Sequence, residues 1–144
     1  GNGEDLYRKI DGDVVAVTCA LLRRLKAQTD QDGIRMMLFM QYYAPLILAS
    51  DKAGPEAQAV AICAQAAGIR VVDQFAALRA IALAGPANIL RDYYWYDDAI
   101  FGHMTAKGNA HAADLIHPAL HDWLPEIRDQ SLNATPGGNS LSSQ

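Results

Sequence analysis

Two short apolar runs set the main constraint on the fold of this chain. Residues 34–40 are apolar apart from Arg35, and residues 69–73 form a second run. Runs that are continuous rather than alternating are typical of strands covered on both faces, as in parallel sheets. Between them, Pro55 begins an Ala-rich helix that ends at Gly68. The order strand, helix, strand predicts an α/β fold with a right-handed crossover.

Further helices are predicted on both sides of this unit. Asp13 is a suitable N-cap for a helix over residues 14–26, whose apolar residues recur at close to helical spacing, and Gly33 follows as a stop signal. A long last helix is expected over residues 105–123, with a disturbance near Pro118. Its predicted inward residues are Ala112, Leu115, Ile116 and Leu120.

Two loops are expected near the strands. Residues 42–50 contain Pro45, and residues 93–98 combine aromatic with acidic side chains. A helix that ends at Gly85 lies between the two loops. The predicted inward face of that helix consists of Phe75, Leu78 and Ile81.

The predicted sheet is incomplete. Two parallel strands leave apolar faces and open edges that a stable domain must cover. Either the chain contains a further strand that its pattern does not reveal, or the sheet is completed by another chain, as in a homo-oligomer, or by residues that precede this segment. We favour the last of these. Residues 1–128 are interpreted as one α/β domain, and residues 129–144, rich in Ser, Asn and Gly, as a flexible polar tail.

Composition excludes several classes of partner. The net charge is −4 and the basic residues are scattered, which argues against a nucleic-acid surface. No apolar run is long enough to predict a membrane span. Cys19 and Cys63 form no metal-binding spacing and no disulfide framework, so both are predicted to be unpaired and buried. Unpaired cysteines leave the cytoplasm and the periplasm both open as compartments.

The stretch around His103 is the best candidate for chemistry. Thr105 follows the histidine and can cap the last helix, while Asp97 and Asp98 precede it. Catalytic imidazoles are commonly carried on a loop with a rigid element behind it. A neighbouring carboxylate would fix the tautomer of the ring and stabilise the imidazolium that forms when a hydroxyl is deprotonated. His103 is therefore predicted to be a general base.

Residues 103–109, His-Met-Thr-Ala-Lys-Gly-Asn, resemble the final sequence block of the SGNH (GDSL-type) hydrolase superfamily. Residues 33–40 and 66–73 resemble strands of the same family. The resemblance implies a flavodoxin-like three-layer sandwich with a parallel sheet. It also implies serine-based hydrolysis or transfer of acyl esters on lipids or glycans, with no cofactor. An oxyanion-hole asparagine belongs to the family pattern, and Asn2 is the candidate for it.

The chain departs from the family pattern at two points. The acidic partner of the family lies three residues before the histidine, where this chain has Ile100, so Asp98 is assigned that role with an assumed insertion. The Gly-Asp-Ser nucleophile block is absent, and Ser50 lacks the tight turn of a serine nucleophile. We expect the C-terminal part of an ester hydrolase or O-acyl transferase, with His103 and Asp98 as its catalytic residues. The alternative is a non-catalytic SGNH-like interaction module.

Other features have more ordinary interpretations. Asp114, His117 and His121 share one face of the last helix at a spacing that suits a metal, but no fourth ligand is evident. No metal site is predicted, and these histidines and His111 are assigned to the polar face of the helix. The aromatic run at residues 93–96 either lines an acyl or sugar site or packs its loop onto the body.

Overall fold

The computed structural model of the protein describes residues 13–97 and 100–123. The described residues combine helices with four strands, which form one parallel and one antiparallel pair. In chain order the elements are α1 (Val14–Gln31), β1 (Met37–Met40), α2 (Ala44–Ala49), α3 (Pro55–Ala66), β2 (Arg70–Asp73), α4 (Phe75–Ala84), α5 (Pro86–Asn88), a π-helix (Ile89–Tyr93), β3 (Tyr94–Asp97), β4 (Ile100–Met104) and α6 (Ala106–Trp123). The described residues thus form a mixed helix and strand fold with a two-stranded parallel sheet, which is consistent with the predicted α/β class, and the flavodoxin-like sandwich stays a prediction.

The parallel pair consists of β1 and β2, with Met37 opposite Arg70 and Met40 opposite Asp73. Helix α3 joins them, as predicted from Pro55, and each strand begins later in the chain than its apolar run. All four residues of β1 are half-buried rather than fully covered. The part of the chain that the structure describes therefore covers this sheet incompletely.

The first helix begins where the sequence predicts. The side chain of Asp13 accepts hydrogen bonds from the backbone N–H groups of Val15 (2.9 Å) and Ala16 (3.2 Å), which satisfies the first turn. The helix continues beyond the predicted residue 26 to Gln31. Its apolar stripe is exposed, however, and consists of Val14, Val17, Leu21 and Leu25. The helical periodicity was a correct signal for the helix, but this face does not belong to the described core.

The prediction of two unpaired cysteines is wrong. Cys19 on α1 and Cys63 on α3 form a disulfide, with their Cα atoms 5.8 Å apart. The pairing joins positions separated by 44 residues, so no local spacing announces it. Packing of α1 against α3 brings the two side chains together, and the bond fixes the first helix to the helix between the parallel strands.

The core lies at the carboxyl ends of β1 and β2, among α2, α4, the π-helix, the β3–β4 pair and α6. Its buried residues include Ala44, Ile47, Phe75, Leu78, Ile89, Tyr94, Met104 and Ala112. Phe75 and Leu78 are thus confirmed as inward-facing, and Ile81 packs against them. Ala112 is the buried residue of the predicted inward set on α6, while Leu115, Ile116 and Leu120 are half-buried.

Two predicted loops contain regular structure. Residues 42–50 include α2, which has Pro45 in its first turn, where a missing N–H costs nothing. Residues 93–97 include β3, which pairs in antiparallel fashion with β4. Helix α6 continues through Pro118 to Trp123, so the proline near which a disturbance was expected does not end it. Within residues 13–97 and 100–123, no helix combines the length and apolarity that crossing a bilayer demands.

Candidate functional site

Polar residues follow both parallel strands at their carboxyl ends. The Tyr42 hydroxyl donates a hydrogen bond to Asp73 Oδ2 at 2.9 Å, and Asp73 Oδ1 accepts one from the backbone N–H of Phe75 at 2.8 Å. The backbone N–H of Gln74 donates to the Met40 carbonyl at 3.3 Å. The end of β2 and the segment after β1 are therefore fastened to each other, at the edge where parallel sheets commonly bind ligands.

A tyrosine of β3 connects the antiparallel pair to this edge. Tyr94 is buried and lies opposite Met104 on β4. Its hydroxyl donates to the backbone carbonyl of Tyr42, and Gln74 Nε2 donates to the same hydroxyl at 3.4 Å. The Gln74 side chain is fully buried, and its Oε1 has no hydrogen-bond partner among the described residues.

Both tyrosine hydroxyls keep their protons across the physiological range. Burial raises the pKa of Tyr94 to about 12, against a smaller opposing effect of the Gln74 hydrogen bond. Burial is also the largest cause of the raised pKa of Tyr42, and the hydrogen bond and negative charge of Asp73 raise it further. The two groups are thus permanent donors.

His103 lies on strand β4 rather than in the predicted loop. It precedes Met104 and the helix-capping Thr105, and its side chain is exposed. The capping prediction is confirmed, because Thr105 Oγ1 accepts a hydrogen bond from the Gly108 N–H at 3.1 Å. The Thr105 N–H and hydroxyl in turn donate to the carbonyls of Tyr93 (3.0 Å) and Asp92. The imidazole is therefore presented by a strand held between the π-helix and α6.

The glycine of the block at residues 103–109 is Gly108, and its place in the structure requires a glycine. A Cβ atom at this position would overlap the Tyr93 carbonyl oxygen and would lie 3.0 Å from Met104 Cβ. Only a residue without a side chain lets the first turn of α6 approach the π-helix this closely. The close approach keeps α6 directly behind the strand that carries His103.

Asp92 fastens the same junction by charge. Its carboxylate accepts hydrogen bonds from Arg91 Nε (2.7 Å) and Lys107 Nζ (2.9 Å), and these two cations lower its pKa to about 2, Arg91 first. The Lys107 ammonium also lies 5.1 Å from the centre of the Tyr93 ring. The start of α6 is thus tied to the π-helix by a small cluster of ionic contacts.

A cavity of about 490 Å³ opens beside His103. The described residues that line it are Gln41, Tyr42, Tyr43, Tyr94, His103, Met104 and Asn109. They bring together an imidazole, two side-chain amides and three phenol rings, so the cavity can hold a polar or mixed ligand through hydrogen bonds and ring contacts. The described part of this lining contains no serine, threonine or cysteine.

Only some of the residues predicted to act with His103 belong to the described part of the chain. Asp98 and Asn2 lie outside the described residues, and so does the tail at residues 129–144. Asp97 pairs with Ile100 at the end of β3, through its backbone. Ser50 closes a local turn, because its hydroxyl donates to the Lys52 carbonyl at 2.7 Å and accepts from the Lys52 N–H at 3.3 Å.

The three histidines of α6 have different surroundings. His111 packs edge-on against Tyr93 with ring centres 5.6 Å apart, so it is not on the polar face as predicted. The His117 and His121 rings lie 6.3 Å apart. No cluster of three or more potential metal ligands is present in residues 13–97 and 100–123.

Local signals found His103, Thr105 and the block that contains Asn109, but sequence reasoning missed the other lining residues. Tyr42 was assigned to a loop and Gln41 to no element, although their position directly after a parallel strand is a recognisable signal for a ligand-binding edge. The residues of the aromatic run have different surroundings, and their predicted role in an acyl or sugar site stays a prediction. Tyr94 lines the cavity and is buried in the core, whereas Trp95 is exposed.

Comparison of the chain with family models, with curated proteins and with solved structures gives no match. The SGNH resemblance therefore stays a prediction from the sequence blocks.

Proposed function

We propose that this chain carries the histidine side of a serine ester hydrolase or O-acyl transferase of SGNH type. The observation that supports the proposal most strongly is the position of His103. It lines a cavity together with Gln41, the residue directly after β1. Ligand sites of α/β folds concentrate at this edge. In this proposal β1 and β2 are neighbouring strands of a flavodoxin-like sandwich whose other strands come from outside the described residues.

The reaction assigned to this site is acyl transfer through a serine ester. A serine Oγ attacks the ester carbonyl while its proton moves to a His103 nitrogen, and the imidazolium then gives that proton to the departing alcohol. Water or a second alcohol repeats the sequence to release the acyl group. The serine is supplied from outside the described residues, and Asp98 orients the imidazole.

The remaining lining suits an ester of a polar alcohol or a glycan. The side-chain amides of Gln41 and Asn109 can donate hydrogen bonds to ester or hydroxyl oxygens. Tyr42 and Tyr43 add ring surface on which the rest of the substrate can lie. No cofactor takes part in this chemistry.

The test is hydrolysis of a short-chain aryl ester by the full polypeptide that the gene encodes. His103→Ala should lower kcat by about 100-fold or more, because general-base catalysis contributes about 10²- to 10⁴-fold. His117→Ala is the matched control, since His117 is exposed on α6 and is not among the cavity-lining residues. Equal turnover in the wild type and His103→Ala would remove His103 from the mechanism.

A second candidate function is a non-catalytic interaction module. The exposed apolar stripe of α1 and the half-buried strand β1 favour it, because both can pack against another chain. Size-exclusion chromatography over a range of protein concentrations distinguishes this function. A module of this kind should associate reversibly and show no ester turnover, whereas a concentration-independent monomer with His103-dependent turnover contradicts it.

A further inference from the structure

His103 lies on the antiparallel β3–β4 pair. Among the described residues, the side chain of Tyr94 makes the hydrogen bond that joins this pair to the segment after the parallel strand β1. Tyr94 lies opposite Met104, the neighbour of His103, and its hydroxyl reaches the Tyr42 carbonyl directly after β1. The contact joins residues 52 positions apart in the chain. It therefore fixes one wall of the cavity relative to the other.

The surroundings of this hydroxyl define its geometry. Tyr94 is only 3% exposed, so water competes little for the bond. Gln74, which is fully buried and follows the end of β2, donates to the same hydroxyl at 3.4 Å. Tyr42 is itself held through its hydroxyl by Asp73. A chain of hydrogen bonds thus runs from the end of β2 through both tyrosines to the β3–β4 pair.

We propose that Tyr94 is a positioning residue that sets the distance between the His103 imidazole and the cavity wall formed by the segment after β1. The proposal rests on the function assigned to His103 above. Tyr94 keeps its ring in the core and uses its hydroxyl as the anchor, with Gln74 orienting that hydroxyl. Without the anchor, the β3–β4 pair retains its own backbone pairing but is free to shift over the cavity.

The test replaces Tyr94 with Phe, which removes one oxygen and keeps the ring. The ring resonances of the four histidines are followed by NMR, with His103 assigned from His103→Gln. We expect the His103 signal to move while those of His117 and His121, on the exposed side of α6, stay in place. A purely stabilising role would lower the melting temperature and leave the native His103 signal where it was.

Kinetics supply the second readout. In Tyr94→Phe we expect kcat for the aryl ester to fall by about 10- to 100-fold with little change in KM, because a displacement near 1 Å costs about 10²-fold. Tyr93→Phe is the matched control: it makes the same chemical change in the preceding residue, which is not among the residues that line the cavity. It should change neither the His103 signal nor kcat.

The outcomes separate this inference from the proposed reaction. A displaced His103 signal in a protein without turnover supports the positioning role and counts against the reaction. An unchanged His103 signal overturns the positioning role whatever the turnover. If Tyr94→Phe shifts all four histidines together, the fold is lost and Gln74→Leu decides instead. That variant should move the His103 signal alone, and no movement in it overturns the inference.

Discussion

Gly108 lies where α6 comes closest to the π-helix, and it is one of the residues that hold His103 in place. Three neighbours act together there: Gly108 permits the approach, Thr105 caps the helix, and Asp92 joins its charge to Lys107. None of them contributes a side chain to the described lining of the cavity. Their contribution is the position of the strand end that carries the imidazole.

Gly108→Ala should therefore be strongly unfavourable for so small a change. The added methyl overlaps the Tyr93 carbonyl, which is backbone and cannot rotate away, so we expect a loss of about 1–3 kcal/mol in the free energy of unfolding. Gly54→Ala is the matched control, because its Cβ would meet only Glu56 Oε2 at an ordinary 3.5 Å. Chemical denaturation measures both, and equal stability of the two variants would contradict the packing account.

The Asp92 cluster predicts a defined pH dependence. The pKa of Asp92 is about 2 in the folded protein against an ordinary value of 3.8, so the carboxylate stabilises the fold above pH 4, and this contribution is lost as the pH falls from 3.8 towards 2. Asp92→Asn should melt at a lower temperature than the wild type at neutral pH. The difference should shrink through that window and vanish below it.

Asp114→Asn provides the control for this titration, because Asp114 is an exposed carboxylate on α6, the helix that carries Lys107, the partner of Asp92. It should melt close to the wild type at neutral pH. A melting difference between Asp92→Asn and the wild type that persists unchanged at the acidic end would mean that the ionic contacts of Asp92 do not produce it.

At the scale of helices and strands, the boundaries predicted correctly are those marked by residues that act on their immediate neighbours in the sequence. Asp13, Pro55 and Gly68 mark helix boundaries through contacts made within a few residues, and all three lie where the sequence indicates. The β3–β4 pair was missed, although aromatic residues favour strands, because an acidic aromatic run resembles an exposed loop until its partner strand is known. Strand pairing of this kind is a tertiary contact.

The disulfide between α1 and α3 was missed for a similar reason. Each cysteine lies in an apolar helical stretch, which predicts a buried thiol as readily as a bonded one. The bond adds a covalent link to the packing of α1 against α3, while the apolar stripe of α1 is exposed. The pairing also gives α1 and α3 a fixed register that apolar packing alone does not supply.

Removing the disulfide should be costly. Closing a loop of 44 residues corresponds to about 4 kcal/mol of destabilisation when the bond is absent, by the chain-entropy estimate. We expect a dithiol reductant to lower the melting temperature of the wild type. The double variant Cys19→Ser/Cys63→Ser should melt at the lower temperature with or without the reductant. A wild type insensitive to reductant, with two titratable thiols, would contradict the pairing.

At the scale of the whole molecule, the described residues form a mixed fold of helices and strands around one parallel strand pair. Its core and its cavity both lie at the carboxyl ends of two parallel strands, while β1 and the stripe of α1 are incompletely covered. The sequence blocks predicted the strands and His103 but not the cavity. Tyr42, Gln74 and Tyr94 come together only through contacts between distant segments, which single-sequence patterns do not encode.

Titration with a phosphonate ester, a stable mimic of the tetrahedral intermediate, tests the central claim most directly. Such mimics bind more tightly than substrates where a site is complementary to the transition state. Followed by NMR, the titration should shift the signals of His103, Asn109 and Tyr42 together and saturably, and His103→Ala should weaken the binding. Shifts confined to residues away from this cavity, or binding unaffected by His103→Ala, would contradict the assignment of the site.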